Sequence, residues 1–511
     1  MKTTLLNYKK ISSLILGTIA VGGLPPYYHF YLLFFSFTGL LLLINNAEKP
    51  KQAFACGYWF GFGFFSIGFS WIGNALLIDA ATTGWLYPIT LLSSGLFFGL
   101  FTALPAYLSF KYFKGIYQRY IAFGCLWTLF EWLRSFILTG FPWNLLGSVL
   151  AFDIKYVQLA DIFGTYGLSL LVLLMCGAPA LLISQRNFKS AITCFIFLFT
   201  TPIVIFYYGT IKLNNNNTLE KSEIKIRIVQ PSIPQKMKWD EKSLKNNFDE
   251  YIRISKSENL EDIDFTIWGE TASPFPLDME PLYLQKSTEA ISKKGYLVTG
   301  SIKYEYNFSE GMYQPANALM VINNEGKILD SYDKSHLVPF GEYIPLKKFL
   351  PSWIKPVTNV VANFKQGNGN KSIKIGEHPS FGGLICYEII FPSQIVDKSN
   401  RPRWLINITN DGWYGVSSGP YQHLVTTQLR AVEEGLTIVR VANSGISALI
   451  SSNGEVLEQI LLNKKEFLDT FLPRNLDIKT LYSIYGNCLI VTLCLSILTL
   501  MIMWCKLKRK F

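Results

Sequence analysis

Long apolar runs separated by short connections fill the first 210 residues; shorter β-branched runs in a polar background follow, and one more apolar run precedes the C-terminus. A helix needs roughly 20 mainly apolar residues to cross the hydrocarbon core of a bilayer. Hydropathy places candidate spans at 11–24, 29–46, 54–75, 86–110, 120–138, 162–184, 190–210 and 485–505. The pattern predicts eight transmembrane helices: seven in a membrane domain over 1–210, and a last one with a basic tail over 485–511. The first run has the basic start of a signal peptide but no small-residue cleavage site, so it is read as retained.

After the polar linker Asn214–Asn217 the period changes. IKIRIVQ (224–230) alternates apolar and polar residues as a strand does. Strands are also expected at 265–269, 296–302, 318–323, 382–387, 403–409, 437–442 and 447–452, with helices at 241–256, 280–294 and 420–435. Strands alternating with helices predict a layered α/β domain over 211–484.

Charge sharpens this division. The chain has a formal net charge of +11, with only 16% charged residues. Residues 211–484 hold 31 basic and 31 acidic side chains, which leaves 16 basic against 5 acidic in the apolar parts. No basic surface remains for nucleic acid. The basic residues fall on alternate connections instead: Lys2, Lys9 and Lys10; Lys49 and Lys51; Lys111, Lys114 and Arg119; Arg186 and Lys189; and Lys506 to Lys510. That is the positive-inside pattern, with both termini cytoplasmic and 211–484 on the outer face. The fifth connection, between Arg134 and Lys155, is long and semi-apolar and is expected to lie in the interface. Glu131 and Arg134, one turn apart, are expected to pair.

Three groups of different chemistry stand near predicted strand ends, where α/β domains present functional side chains. Glu270 ends FTIWGE, Lys334 lies in SYDKSHLVPFGEYIP, and Cys386 ends GGLICYE. Each alone reads blandly: a turn carboxylate, one of 31 basic residues, a core thiol. Together they supply a base, an ammonium to hold an oxyanion and a nucleophile. His336, two residues beyond Lys334 in an extended segment, is expected to point differently. The four histidines and scattered cysteines lack ligand spacing and no phosphate-binding loop occurs, so neither metal nor cofactor is expected. The spans are nearly free of ionisable residues, which argues against a transporter.

WGE (268–270), DKSHLVPFGEY (333–343), GGLICYE (382–388) and the stretch 410–447 resemble, in this order, the signature blocks of the nitrilase, or carbon–nitrogen hydrolase, superfamily. The resemblance covers 224–455. It implies an αββα sandwich and a Glu–Lys–Cys triad at Glu270, Lys334 and Cys386. With the apolar spans, GFPWN (140–144), QLADIFGTYGLSLLV (158–172) and QPSIPQKMKW (230–239) narrow it to the apolipoprotein N-acyltransferase family, which they resemble. From that resemblance Trp239, Glu342, Tyr387 and Glu388 acquire supporting roles.

The family implies a bacterial inner-membrane enzyme with its catalytic domain on the periplasmic side. It would take an acyl chain from a phosphatidylethanolamine-like phospholipid, hold it as a Cys386 thioester and pass it to the α-amine of a diacylglyceryl apolipoprotein. Aromatic and aliphatic residues over 335–364, Phe340 and Trp353 among them, could form an apolar entrance. A membrane-tethered amidase remains open at this point, because water and an amine attack the same thioester.

Overall fold

In a computed structural model of the chain, residues 2–215, 220–307, 311–345, 364–474 and 476–507 are described, with side chains from Tyr8 onward. The chain divides into two compact units, Met1–Asn216 with Thr480–Phe511, and Asn217–Lys479.

The first unit is helical, and each of the eight apolar runs falls on a helix. Among the described residues, four helical stretches are long and apolar enough to cross a membrane: Ala80–Tyr112, Ala160–Gln185, Phe188–Asn215 and Cys488–Leu507. The pair Pro50–Gly68 and Ser70–Leu77, bent by 41°, adds a fifth if it forms one span. The helices that carry the other expected spans do not meet that length and hydropathy. Tyr31–Asn45 has only 15 residues, Lys2–Ala20 begins with lysines, and Gly115–Leu133 carries Arg119 and Glu131. Small residues let these helices touch backbone to backbone, as membrane helices do. A Cβ on Gly17 would stand 1.9 Å from the Phe60 carbonyl oxygen, and Thr102 Oγ1 donates to the Gly57 carbonyl at 2.7 Å.

The fifth connection folds into short helical turns, Ile137–Thr139 and Leu146–Phe152. Glu131 and Arg134 are both buried there with separate hydrogen-bond partners. Glu131 accepts from the Trp127 indole and the Leu146 N–H, each at 3.1 Å. Arg134 donates to the carbonyls of Phe141 and Trp143, each at 2.8 Å.

The second unit holds two six-stranded sheets among the described residues. The first contains β1 (Lys221–Gln230), β2 (Phe265–Ile267), β3 (Tyr296–Asn307), β4 (Met312–Asn323), β5 (Ile328–Asp333) and β12 (Glu466–Pro473), in the order β12-β1-β2-β3-β4-β5. The second contains β6 (Ser372–Ile373), β7 (Phe381–Ile385), β8 (Trp404–Thr409), β9 (Thr437–Ala442), β10 (Ser447–Ile450) and β11 (Val456–Ile460), in the order β11-β10-β9-β8-β7-β6. The central strands of each sheet, β1 to β3 and β7 to β9, run parallel.

Inward-facing residues of both sheets make one apolar layer, including Ile226, Ile267, Val298 and Leu319 from the first and Ile385, Ile406, Val439 and Val441 from the second. Alternation sends the other face of each strand outward. There Trp268, Leu297 and Met320 pack with Phe248 and Ile252 of the helix Leu244–Ser255. The helix Gly419–Glu434 accompanies the second sheet. Helix, sheet, sheet and helix therefore stack in layers, and burial of central strands on both faces explains their near-continuous apolar runs.

The expected helix at 280–294 is shorter, ending as Pro281–Ser287 and a 3-10 turn Thr288–Ala290. Strands β5, β6, β11 and β12 are additions to the pattern read from the sequence. They lie at or beside sheet edges, where mixed polarity blurs the period.

Candidate active site

Glu270 follows β2 through a tight turn. Its N–H donates to the Thr409 carbonyl at 3.4 Å, joining the first sheet to the second. Gly300 on β3 makes room: a Cβ there would stand 2.4 Å from Thr271 N and 2.8 Å from Glu270 Cα. Lys334 directly follows β5, and its N–H bonds the Asn317 carbonyl on β4 at 2.8 Å. Cys386 directly follows β7 and opens the 3-10 turn Cys386–Ile390. It holds φ of +51°, the left-handed region, which costs an L-residue about 1–2 kcal/mol. A strand feeding a sharp turn through such a residue is how nucleophile elbows expose their side chain.

These three meet in a buried site. Lys334 Nζ lies 2.9 Å from Glu342 Oε1 and 3.4 Å from Glu270 Oε1. Asn317 Nδ2 donates to the same two oxygens, at 2.8 Å for Glu270 and 3.2 Å for Glu342. Glu342 also accepts from the Val338 N–H at 2.8 Å. Burial opposes the Lys334 charge, but Glu342, Glu270 and Cys386 outweigh it and hold the ammonium well above its ordinary range. Burial, then the Glu270 charge, push the Cys386 thiol up to about 12 against the pull of Lys334. Near neutral pH the sulfur is therefore a thiol that needs a base. The side chains of Thr409 and Tyr414 stand beside the sulfur.

Glu388 staples the elbow. Its Oε2 accepts from the Ile385 N–H at 2.7 Å, while Oε1 accepts from Ser335 N (2.7 Å), Ser335 Oγ (2.9 Å), His336 N (3.1 Å) and Tyr332 Oη (2.7 Å). One carboxylate thus ties the turn after Cys386 to the turn after Lys334. The Tyr387 ring packs against Phe391 at 5.1 Å, and His336 stacks on Phe391 at 3.7 Å.

Trp239 is half-buried at the end of the short helix Gln235–Lys238. Its neighbour Lys238 reaches the site: Lys238 Nζ donates to the Glu270 carbonyl at 2.8 Å. Burial pushes Lys238 down to about 8, against Glu270 and Cys386. Phe340 is exposed, with φ of +62°, and Trp353 lies outside the described residues. A cavity of about 520 Å³ opens behind Glu388, lined by Ser335, His336, Gln366, Asn370 and Lys398 among others, but not by Glu270, Lys334 or Cys386.

Sequence reasoning did not single out Lys238, Asn317, Thr409 or Tyr414. A lone Asn inside the apolar run of β4 was the one visible sign for Asn317. Chemically the site sets a carboxylate and an ammonium around a neutral thiol, which suits acyl transfer through sulfur.

Comparison with known proteins gives the family of the chain. Residues 16–178 match the family model of the apolipoprotein N-acyltransferase N-terminal domain, and 225–476 match carbon-nitrogen hydrolase. An apolipoprotein N-acyltransferase of Rickettsia typhi is 36% identical over 481 residues, covering 94% of this chain and 95% of that protein. One from Rhodopseudomonas palustris is 32% identical over 518 residues, covering 98% and 95%. An amidase from Nesterenkonia sp. aligns at 16% identity over 51% of this chain and 94% of its own, with a TM-score of 0.35, too slight a likeness to bear on mechanism. Relatives alike over nearly their whole length, together with both domain matches, place this chain in the apolipoprotein N-acyltransferase family.

Proposed function

We propose that this enzyme N-acylates lipoproteins in two steps through Cys386. Glu270 takes the thiol proton as Sγ attacks the ester carbonyl of a phosphatidylethanolamine-like phospholipid. Lys334 and a backbone N–H beside Cys386 hold the oxyanion. The ester C–O bond then breaks, Glu270 returns the proton to the departing lysophospholipid, and a thioester remains. In the second step the α-amine of a diacylglyceryl apolipoprotein attacks the thioester and loses a proton to Glu270. The thiolate leaves, recovers that proton, and the product is an amide. Glu342 keeps Lys334 charged and aimed, Glu388 and Tyr387 shape the elbow, and Trp239 stands beside Lys238 at the rim.

The observation that carries this reading is the buried meeting of Glu270 with Lys334 at 3.4 Å beside the strained, un-ionised Cys386. The apolar helices support the choice of substrates. Each buried CH₂ contributes about 0.8 kcal/mol to membrane attachment, so neither doubly acylated substrate leaves lipid readily. The alternating basic connections support eight spans, with seven in 1–210 and one in 485–511. The same alternation supports cytoplasmic termini and a catalytic domain, 211–484, on the periplasmic side of a bacterial inner membrane.

The experiment is a two-stage incubation. Purified enzyme receives phosphatidylethanolamine, excess lipid is removed, and half the sample receives a diacylglyceryl-cysteinyl peptide. The proposal expects a thioester that survives in water and disappears as N-acyl peptide forms. A thioester that hydrolyses equally fast without the peptide, in an enzyme that turns over small amides, would establish a tethered amidase instead.

A further inference from the structure

Beneath the Cys386 elbow lies a buried polar cluster that the scheme above does not use. His423, on the helix Gly419–Glu434, is fully buried, and its Nε2 lies 3.3 Å from the Cys386 carbonyl oxygen. Its Nδ1 lies 2.9 Å from Asp411 Oδ1 and 3.2 Å from Arg440 Nη2. Arg440 on β9 donates to Asp411 Oδ2 at 2.6 Å, to Asn407 Oδ1 on β8 at 3.0 Å and to the Ile446 carbonyl at 3.1 Å. Thr409 Oγ1 donates to Asp411 Oδ1 at 3.2 Å. Asp411 and Arg440 are as deeply buried as His423. The imidazole is thus braced on two strands of the second sheet and reaches the backbone of the nucleophile.

That contact has a geometric consequence. The peptide between Cys386 and Tyr387 is trans and planar, so its C=O and N–H point in opposite directions. Anchoring the carbonyl on the imidazole side turns the Tyr387 N–H the other way. The left-handed φ of Cys386 has no intrinsic stability and persists only where contacts hold it. Glu388 holds the elbow on its N-terminal side, through Ile385 N–H. His423 holds it on the other.

We infer that His423, braced by Asp411 and Arg440, is a positioning residue for acylation: it donates from Nε2 to the Cys386 carbonyl and so fixes the Tyr387 N–H toward the developing oxyanion. With Nε2 protonated, Nδ1 accepts from Arg440 Nη2 at 3.2 Å; the repulsion of Asp411 Oδ1, 2.9 Å from Nδ1, is offset by Arg440 and Thr409, which both donate to that carboxylate, so Asp411 braces the ring through Arg440. The inference rests on the acyl-enzyme reading above.

The test compares two amide replacements of the imidazole. The shorter side chain of His423→Asn keeps a polar atom in reach of Arg440 but not of the Cys386 carbonyl, whereas His423→Gln restores a donor near the Nε2 position. Full-length enzyme in detergent is acylated with p-nitrophenyl butyrate, and the burst of p-nitrophenol gives the limiting acylation rate and the half-saturating ester concentration. Losing an oxyanion-hole donor outright costs on the order of 10²–10³ in rate. Misaiming one is expected to cost about 30-fold in His423→Asn, with half-saturation within about twofold, and His423→Gln is expected to recover to within about fivefold of wild type. If His423→Gln is no faster than His423→Asn, whether both are active or neither folds, the role is structural and the inference is overturned. A wild-type burst with the ester but no thioester from phosphatidylethanolamine defeats the phospholipid reading and leaves this comparison intact.

Discussion

Lys334 lies closer to Glu342, at 2.9 Å, than to Glu270, at 3.4 Å. The ammonium is therefore held chiefly by a carboxylate other than the proposed base, which leaves Glu270 free to exchange protons with Cys386. Removing one partner of a buried ion pair costs about 3–5 kcal/mol, because the other charge stays buried. Glu342→Ala is expected to lose stability of that size, seen as a lower thermal unfolding temperature, and to slow acylation at least tenfold. Unchanged unfolding and turnover would show that Lys334 does not depend on it.

Glu270→Gln is expected to change two rates in opposite directions. Burial raises the Cys386 pKa first, and the Glu270 charge raises it further, to about 12. Removing that charge favours the thiolate, so alkylation by iodoacetamide at about pH 9 is expected to quicken several-fold. Acylation by phospholipid is expected to slow about 100-fold or more, since the general base is gone. Parallel loss of both rates would mean that Glu270 acts on structure alone.

Lys238 sets a pH dependence of stability. Burial lowers its pKa from the ordinary 10.5 to about 8. Between those values the folded protein sheds a proton that the unfolded chain keeps, so stability rises with pH there. Cys386 acts oppositely: the folded protein keeps its thiol proton up to about 12, while the unfolded chain loses it from the ordinary 9.0 upward. The Lys238 effect is therefore clearest from about pH 8 to about pH 9. Over that interval the unfolding temperature of wild type is expected to rise relative to that of Lys238→Met. A constant difference between the two would contradict the lowered pKa.

Phe340 is 53% exposed, two residues before Glu342. Surface substitutions usually shift stability by no more than about 0.5 kcal/mol. If this side chain forms part of an apolar entrance, Phe340→Ser slows acyl transfer from long-chain phospholipid several-fold and leaves the unfolding temperature alone. Equal slowing with a short, soluble ester would locate the defect in the chemistry instead.

Much of the site was legible because its chemistry stands where strands stop. Strand β7 reads as an apolar run ending at Cys386, and Glu270 closes another beyond β2. Lys334 was harder, because in β5 the paired Ile328–Leu329 and Asp330–Ser331 break the alternation that marks a strand. Lys238 and Asn317 were invisible for a different reason. Lys238 is 32 residues from Glu270 and Asn317 is 25 from Glu342, and only the pairing of β1 through β5 brings them together. The His423 cluster was hidden likewise, since Asp411, His423 and Arg440 come from a turn, a helix and a strand. In the helical unit, each apolar run that hydropathy marked falls on a helix. Hydropathy overstated how many meet the length of a span, because 15 residues at about 1.5 Å each fall short of a bilayer of about 30 Å.

The central claim is that Cys386 carries the acyl group, and intact mass tests it most directly. Wild type and Cys386→Ala are incubated with phosphatidylethanolamine and no acceptor. The account predicts a gain of one acyl chain on wild type, removable by hydroxylamine and absent from the variant. An adduct of equal size on Cys386→Ala, or none on wild type that still transfers acyl chains to peptide, would contradict it.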